Sequence, residues 1–286
     1  MQKRKILLTG GNGFISKNIR EQLSKKYRIL SPKKTEVDLL KPKDVNNYFK
    51  KHNYFDVVIH AANVGGKRNK KDNADVVYQN CLMFFNLVKN KNYFNKIINL
   101  GSGAEYSKDR SLEKVTENEF DELIPGDYYG FSKFIIAKFL EEAQIGVNLR
   151  LFGVYGKYED YRIRFISYVI LRIIKKKNID INKNVVFDYL YVDDLMQILE
   201  YFIKNDVKYV SYNVGVGKPL SLLTIANKIK QGLNSKSRIN LKSKVLGYEY
   251  SCNNNRLLNE TGKLKFSNFE DSVKNMHGWL INLNLK

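Results

Sequence analysis

Short apolar runs alternate with amphipathic segments along the first half of the chain. The run at 5–9 predicts a strand, and after a glycine-rich turn apolar residues recur with helical spacing over 14–23. The same patterns predict further strands at 27–30, 56–60, 96–100 and 147–151, and helices at 45–51, 74–89 and 128–143. This alternation is typical of an α/β fold with a doubly wound parallel sheet.

The pattern becomes less regular after residue 156. It predicts helices at 162–175, 193–203 and 221–233, strands at 185–187 and 209–214, a turn at 215–219, and then a polar stretch containing Arg256 and Trp279. We expect residues 1–156, with 185–214 returning to them, to form the sheet domain. Residues 157–184 and 215–286 would form a smaller C-terminal lobe over the carboxyl ends of the strands, where open α/β sheets bind ligands.

Composition narrows the class of protein. The 286 residues are 43% hydrophobic, enough for a substantial core. The apolar run at 6–8 is too short for a secretory signal peptide, and no segment has the length of a membrane-spanning helix. Cys81 and Cys252 lie far apart and lack metal-ligand spacing with the three histidines, which predicts neither a disulfide framework nor a zinc site. We therefore expect a reduced, cytoplasmic protein without a metal or a membrane partner.

The formal net charge of +20 is the one unusual bulk property. A strongly basic surface is a reason to consider nucleic acid as a partner. Here the lysines are spread along the chain among abundant Asn, Ile and Tyr, and no nucleic-acid-binding motif accompanies them. The charge is therefore interpreted as a compositional bias, and no nucleic-acid partner is predicted.

The glycine-rich turn is the first candidate site. The turn contains Gly10, Asn12 and Gly13. It lies directly before the predicted helix, which begins with Phe14 and Ile15. Glycines at such a turn let the backbone approach a pyrophosphate, which the positive N-terminal end of the helix then stabilises. A single motif of this kind has low specificity. The alternative interpretation is therefore a turn with a purely structural role.

The end of the second predicted strand bears on the choice of dinucleotide. An acidic residue there binds the ribose hydroxyls of NAD and repels the 2′-phosphate of NADP. The stretch 31–34 has no carboxylate and carries Lys33 and Lys34, which favours NADPH, with NAD still possible. In the alternative interpretation both lysines are ordinary solvated loop charges.

A tyrosine and a lysine, Tyr129 and Lys133, lie one helical turn apart in a predicted helix. A nearby cation favours phenolate, so we expect Lys133 to lower the pKa of Tyr129 and make it a general acid or base. Such a pair also occurs by chance on many helices. The order of the parts adds weight: the glycine turn, a strand that ends at Ser102, and then this helix.

In these motifs the chain resembles the extended short-chain dehydrogenase/reductase family, the NAD-dependent epimerases and dehydratases. The T-G-x-x-G turn lies at 9–13 and the Y-x-x-x-K pair at 129–133, with further matches at 60–62, at Asn80, at 149–156 and at 191–194. The resemblance implies a Rossmann-type fold, a homodimer, and three catalytic residues: Ser102, Tyr129 and Lys133. Ser102 could instead merely cap a turn, His60 could be a packed imidazole, and Asn80 could be a polar helix residue.

The resemblance also implies how the cofactor is held, with Asp38 near the adenine and Asn80 supporting the site. The cofactor contacts it implies come from Gly10, Asn12, Gly13, Phe14, Ile15, Lys33, Lys34, Asp38, Leu39, Ala61, Ala62, Asn80, Leu100, Tyr129 and Lys133.

Residues around Ser102 discriminate between the reactions of the family. Dehydratases of the family use an Asp-Glu pair after the catalytic hydroxyl residue, whereas this chain continues with Gly103, Ala104 and Glu105. The run at 57–66 resembles the GDP-fucose synthase group, in which a cysteine after the serine and a histidine in the substrate lobe perform epimerisation. Neither is present at 103–104 or 157–164, which favours hydride transfer without epimerisation.

The resulting hypothesis is NADPH-dependent reduction of the C4 keto group of a nucleotide-linked 4-keto-6-deoxy sugar, GDP-linked by preference, for surface polysaccharides. A nucleotide-sugar 4-epimerase with tightly bound NAD is one alternative, and a cofactor-sensing regulator on the same fold is another. The predicted substrate contacts are Val64, Gly65, Gly66, Ser102, Gly103, Ala104, Arg162, Arg164 and Arg256, the arginines being candidates for the diphosphate.

Overall fold

A six-stranded parallel sheet forms the centre of the protein, here described from a computed structural model over residues 3–67, 69–243, 245–262 and 264–283. Its strands are β1 (Lys5–Leu8), β2 (Arg28–Leu30), β3 (Phe55–His60), β4 (Phe94–Ser102), β6 (Gly146–Leu151) and β11 (Ser211–Val214). They lie in the order β2-β1-β3-β4-β6-β11. The predicted doubly wound parallel sheet is confirmed, and its strand order reverses between β1 and β3, where such sheets bind ligands.

Helices cover both faces of this sheet. On one face lie α2 (Pro42–His52), α3 (Asp75–Val88) and α4 (Tyr128–Ala143), and their apolar sides form one core with the sheet. The larger core on the other face includes α1 (Phe14–Leu23), α5 (Phe165–Ile174), α6 (Val192–Lys204), α7 (Leu222–Gly232) and α9 (Phe269–Asn282). Burial on both faces explains why β1 and β3 read as continuous apolar runs rather than alternating ones.

A second, mixed sheet forms the smaller lobe. Its strands are β5 (Leu112–Val115), β9 (Asn184–Phe187), β12 (Leu220–Ser221) and β14 (Leu246–Cys252), in the order β12-β9-β14-β5. Two parallel pairs complete the strands: β7 (Gly153–Tyr155) with β10 (Tyr189–Tyr191), and β8 (Ile179–Ile181) with β13 (Ile239–Leu241).

The strand pairings bear on the predicted division of the chain at two places. Residues 185–187, which were predicted to return to the sheet domain, belong to β9, and β9 pairs with β12 and β14, whereas β11 pairs with β6 in the central sheet. The first segment also contributes to the smaller sheet, because β5 pairs with β14 across about half the chain. The smaller lobe is therefore built from three separated segments rather than from the C-terminal part alone.

The C-terminal stretch has more regular structure than its polarity indicated. It contains β14, the short helix α8 (Asn255–Thr261) and α9. The side chain of Asn268 caps α9 by accepting from the backbone N–H of Glu270 at 2.8 Å, and Val273, Met276 and Leu280 are buried at helical spacing. This cap and this spacing are readable from the sequence and were overlooked.

Candidate functional site

The glycine turn after β1 provides a cradle for an anion. Gly10 has a φ of 66°, and a Cβ at this position would lie 2.8 Å from the backbone of Ala62, so only glycine fits. Gly13 caps α1 without a side-chain acceptor, and the first turn of the helix contains no acidic residue. The first backbone N–H groups of α1, including those of Phe14 and Ile15, are therefore unpaired within the helix and suited to a phosphate.

Thr9 joins this turn to the loop after β3. Its hydroxyl oxygen accepts from the backbone N–H of Ala61 at 3.1 Å and of Ala62 at 3.2 Å, and lies 3.0 Å from Nδ1 of His60. With both acceptor positions filled, the hydroxyl donates its proton to Nδ1. Burial, with the Lys133 charge adding to it, lowers the pKa of His60 to about 3, so this imidazole is a neutral structural group.

A cavity of about 470 Å³ lies over the ends of β1 and β3. Ser31 adds a hydroxyl oxygen that is buried and without a hydrogen-bond partner in the described part of the chain. The side chains of Phe14, Ile15 and Leu100 pack in or against the core and do not line the cavity. The predicted cofactor residues that line the cavity are Gly10, Asn12, Gly13, Lys33, Lys34, Asp38, Leu39, Ala61 and Ala62. Val64, a predicted substrate contact, lines it as well.

The outer end of the cavity is basic on balance. Lys33 and Lys34 are exposed there, and Arg20 from α1, which was not predicted, joins them. Glu36 and Asp38 line the same region, and the ammonium of Lys34 lies 4.0 Å from the Asp38 carboxylate. Because the Lys34 side chain is 77% exposed, this contact does not hold it away from a ligand.

Ser102, Tyr129 and Lys133 converge beside the cavity. Ser102 ends β4, and Tyr129 and Lys133 lie in the first two turns of α4, which the Asp127 side chain caps by accepting from Gly130 N–H at 2.8 Å. The Ser102 hydroxyl is close enough to the Tyr129 phenol to act on its pKa. The Lys133 ammonium lies 5.8 Å from the centre of the Tyr129 ring and donates to the Leu100 carbonyl at 2.9 Å. Leu100 therefore contributes a backbone acceptor that holds the lysine.

The pKa of Tyr129 differs from the prediction. Burial raises it to about 12, although the Ser102 hydroxyl and the Arg164 charge act in the opposite direction. Burial also lowers the pKa of Lys133 to about 8, with Glu105 opposing. The expected lowering of the Tyr129 pKa is therefore not found, because the removal of the phenol from water dominates, and the sequence spacing contains no information on burial.

Asn80 lies behind the site and does not line the cavity. Its side-chain N–H donates to Ser132 Oγ at 2.9 Å and to the Val64 carbonyl at 3.1 Å, and its oxygen accepts from Val64 N–H at 2.8 Å. These bonds fasten the loop of Gly65 and Gly66 to the helix that carries Tyr129. A Cβ on Gly66 would lie 2.9 Å from the tyrosine ring, so the loop forms one wall of the reaction site. Asn80 thus supports this wall, and its predicted cofactor contact stays a prediction.

Comparison with known proteins agrees with this arrangement. The family model described as "NAD dependent epimerase/dehydratase family" matches residues 6–215. The chain belongs to this family. The predicted resemblance and the predicted class of enzyme, an NAD(P)-dependent oxidoreductase, are confirmed.

Individual family members cover nearly the whole chain. GDP-L-colitose synthase of Yersinia pseudotuberculosis is 28% identical over 97% of this chain and 98% of its own length. A GDP-mannoheptose C4 reductase from Campylobacter jejuni, solved with NADP bound, superposes with a TM-score of 0.85 at 20% identity over 98% and 99% of the two chains. A UDP-N-acetylglucosamine 4-epimerase from Methanobrevibacter ruminantium superposes with a TM-score of 0.84 at 19% identity over 99% and 100%. At these identities the superpositions establish the fold.

In the present protein, a buried ion pair supports the turn that carries Ser102. The Glu105 carboxylate accepts from Ser102 N–H at 2.8 Å and from Arg150 Nε at 2.7 Å, and both charged side chains are fully buried. The Arg150 guanidinium also contacts Glu141 at 2.7 Å and lies 4.0 Å from the centre of the Phe120 ring. Glu105 is thus occupied in holding the backbone, which agrees with its position outside the dehydratase motif.

Gly103 and Ala104, which were predicted as substrate contacts, are both buried. Ala104 is fully buried beneath α4, where a Cβ on Gly130 would lie 2.8 Å from its carbonyl oxygen. A Cβ on Gly103 would lie 2.6 Å from the hydroxyl of Tyr250, so this position faces the smaller lobe. The turn bends inward as soon as β4 ends, and of the residues 102–104 only Ser102 remains partly exposed.

The three predicted arginines occupy different environments. Arg162 and Arg164 are exposed at the start of α5, and the Arg164 charge is near enough to the site to act on Tyr129. Arg256 instead donates to the Ser211 carbonyl at 3.2 Å and stacks on Tyr209, with its carbon Cζ 4.5 Å from the ring centre. These contacts hold Arg256 at the beginning of β11, and its predicted diphosphate contact stays a prediction.

The described ranges contain neither a candidate membrane span nor a candidate metal site. No helix there is both long and apolar enough to cross a membrane. Nor do three or more His, Cys, Asp or Glu side chains in those ranges come together in a group suited to a metal ion. Both cysteines, Cys81 and Cys252, are free thiols.

Proposed function

We propose that this protein reduces the C4 keto group of a nucleotide-linked 4-keto-6-deoxy sugar with NADPH. The observation that carries the proposal is the convergence of Ser102, Tyr129 and Lys133 beside a cavity that begins at a glycine turn. The positions after Ser102 supply no further acid or base, because Gly103 and Ala104 lack an ionisable side chain and Glu105 is fully buried in an ion pair. This inventory is sufficient for one hydride and one proton transfer.

Each of the three side chains has a distinct task. NADPH, when bound, supplies the hydride that adds to C4 of the sugar. As the carbonyl bond breaks, its electron pair moves to the oxygen, to which the Tyr129 hydroxyl gives its proton and the Ser102 hydroxyl a hydrogen bond. The high pKa of Tyr129 keeps it protonated before the reaction. Lys133 stabilises the phenolate that the transfer leaves and would hold the nicotinamide ribose.

The fit of the cavity to NADPH rests on three features of this chain. The unpaired N–H groups at the start of α1 suit the pyrophosphate. The partnerless hydroxyl of Ser31 offers a hydrogen bond at the end of β2, and Lys33, Lys34 and Arg20 would attract the 2′-phosphate. Asp38 and Leu39 would then contact the adenosine, Ala61 and Ala62 the neighbouring ribose, and Val64 with Gly65 and Gly66 the substrate side.

A GDP-linked substrate is favoured by the relatives, since both the colitose synthase and the heptose reductase are named for GDP-sugars. Arg164, with Arg162 beside it, is the candidate for the diphosphate because its charge acts on Tyr129. Sugars of this kind would supply surface polysaccharides. The homodimer and the cytoplasmic location stay predictions, as does the division of the chain into a cofactor domain and a substrate lobe.

A 4-epimerase with tightly bound NAD is the second candidate, because it would use the same three residues and a UDP-sugar 4-epimerase has the same fold. The two are separated by following NADPH absorbance while GDP- and dTDP-linked 4-keto-6-deoxy sugars are offered separately. Rapid oxidation with the GDP-sugar is the expected result. No oxidation with either, together with interconversion of intact UDP-sugars, would support the epimerase. A cofactor-sensing regulator would be supported if the binding of a partner changed when NADP was bound and no sugar was turned over.

A further inference from the structure

The loop that packs against Tyr129 begins with two glycines. Gly65 and Gly66 have positive φ values of 77° and 70°, a conformation that L side chains disfavour. A Cβ on Gly66 would lie 2.9 Å from the Tyr129 ring. A Cβ on Gly65 would lie 2.8 Å from the side chain of Val76 in α3. The backbone at this point is therefore packed between α3 and the reacting phenol.

Asp72 closes this loop by reaching back to its start. Its carboxylate accepts from the backbone N–H of Gly66 at 2.8 Å. Inside the loop, the backbone N–H of Lys70 donates to the Lys67 carbonyl at 3.3 Å. The segment from Gly66 to Asp72, called the lysine turn below, is thus tied together at its two ends and has its start against Tyr129.

Three exposed lysines of the lysine turn carry its charge: Lys67, Lys70 and Lys71. Within the described part of the chain, none of their ammonium groups forms an ion pair with a carboxylate. Exposed lysines are common on this protein, but these three lie on a tied turn that begins at the wall of the reaction site. A substrate held at Tyr129 therefore lies beside their charges.

We infer that the lysine turn is an anion site for the substrate, in which its three lysines bind the sugar-side phosphate of the nucleotide diphosphate. Ammonium groups bind phosphate oxygens as point charges, through charge-assisted hydrogen bonds. Asp72 is a positioning residue of this site, because its bond to Gly66 holds the turn closed although its own charge repels a phosphate. The inference rests on the proposed function, since it concerns the substrate of the same reaction.

The first test neutralises the three lysines of the turn together: Lys67→Gln, Lys70→Gln and Lys71→Gln. The matched control makes the same change in charge at three exposed positions that follow α5: Lys175→Gln, Lys176→Gln and Lys177→Gln. Dissociation constants for GDP and GMP are measured by calorimetry with NADP present. GDP should bind about tenfold more weakly to the lysine-turn variant, because three exposed charge contacts are lost. GMP, which lacks the sugar-side phosphate, should change less than about twofold, as should both nucleotides in the control.

The second test separates a built turn from diffuse attraction by positive charge. Asp72→Ala and Asp72→Asn remove the same negative charge, but only asparagine keeps an oxygen that can accept from Gly66 N–H. Diffuse attraction would make both variants bind GDP more tightly, because a repelling charge is gone. The inference instead predicts about fivefold weaker binding of GDP in Asp72→Ala and binding at least as tight as wild type in Asp72→Asn.

The inference is overturned if the control triple variant weakens GDP binding as much as the lysine-turn variant, if GDP and GMP lose affinity equally, or if both Asp72 variants bind GDP alike. Where wild type binds UDP or dTDP in place of GDP, the same ratios are taken with that diphosphate and its monophosphate. An error in the proposed nucleotide then shows in wild type, and an error in this inference shows in the ratios. Wild type that binds none of the three diphosphates would contradict both proposals.

Discussion

The cofactor side and the substrate side of the cleft are built in different ways. On the cofactor side, the turn at Gly10 and Gly13, the end of β2 and the loop after β3 all come from the first 66 residues. On the substrate side, Ser102 lies against a lobe whose strands come from three separated segments. The first side depends on local conformation, whereas the second depends on long-range side-chain contacts, so substitutions should affect them differently.

The largest effect is expected where the two sides meet, at Tyr129. Replacing it by phenylalanine removes the proton donor but keeps the ring against the Gly66 loop, so turnover should fall about 1,000-fold, within the usual range for a general acid. The dissociation constant for NADPH, measured by fluorescence, should stay within about twofold of wild type. Full activity in this variant would remove Tyr129 from the mechanism.

The next effect concerns the ion pair that supports the substrate side. Glu105→Gln leaves a fully buried Arg150 without one of its two carboxylates, which should lower the free energy of unfolding by about 3 kcal/mol in chemical denaturation. The control is Glu141→Gln, whose side chain is 32% exposed and whose loss should cost less than about 1 kcal/mol. Equal losses in the two variants would show that the buried pair has no special role.

An intermediate effect is expected at the basic end of the cofactor side. The double variant Lys33→Glu, Lys34→Glu should reduce the preference for NADPH over NADH on the order of tenfold, because two carboxylates would repel the 2′-phosphate. Lys236→Glu, Lys242→Glu makes the same change in net charge at exposed positions of the other lobe and should leave the preference unchanged. If both double variants behave alike, the effect comes from net charge rather than from a site.

The smallest effect is expected at Arg256. Its guanidinium is held at the start of β11, so Arg256→Ala should change KM for the nucleotide sugar by less than about twofold. Arg164→Ala, which removes an exposed charge near Tyr129, should raise that KM about tenfold. A larger effect at Arg256 than at Arg164 in steady-state kinetics would reverse the assignment of the diphosphate contact.

The contrast between the two sides also explains what the sequence allowed us to predict. The glycine turn and the Tyr129–Lys133 pair are local patterns, and their positions followed from spacing and strand order. The partners of Arg256 depend instead on the packing of α8 against β11, over a separation that no local pattern encodes. β14 lies in a stretch that was predicted only as polar, so neither this strand nor the side chains that it brings to the smaller lobe were predicted.

The most direct test of the account is the fate of the hydride. Wild-type protein is given NADPH deuterated at the transferable position of nicotinamide C4, with a GDP-linked 4-keto-6-deoxy sugar, and the product is analysed by mass spectrometry and NMR. The account predicts one deuterium at C4 of the sugar and one NADPH consumed for each product formed. Product without deuterium, formed without consumption of NADPH, would contradict it.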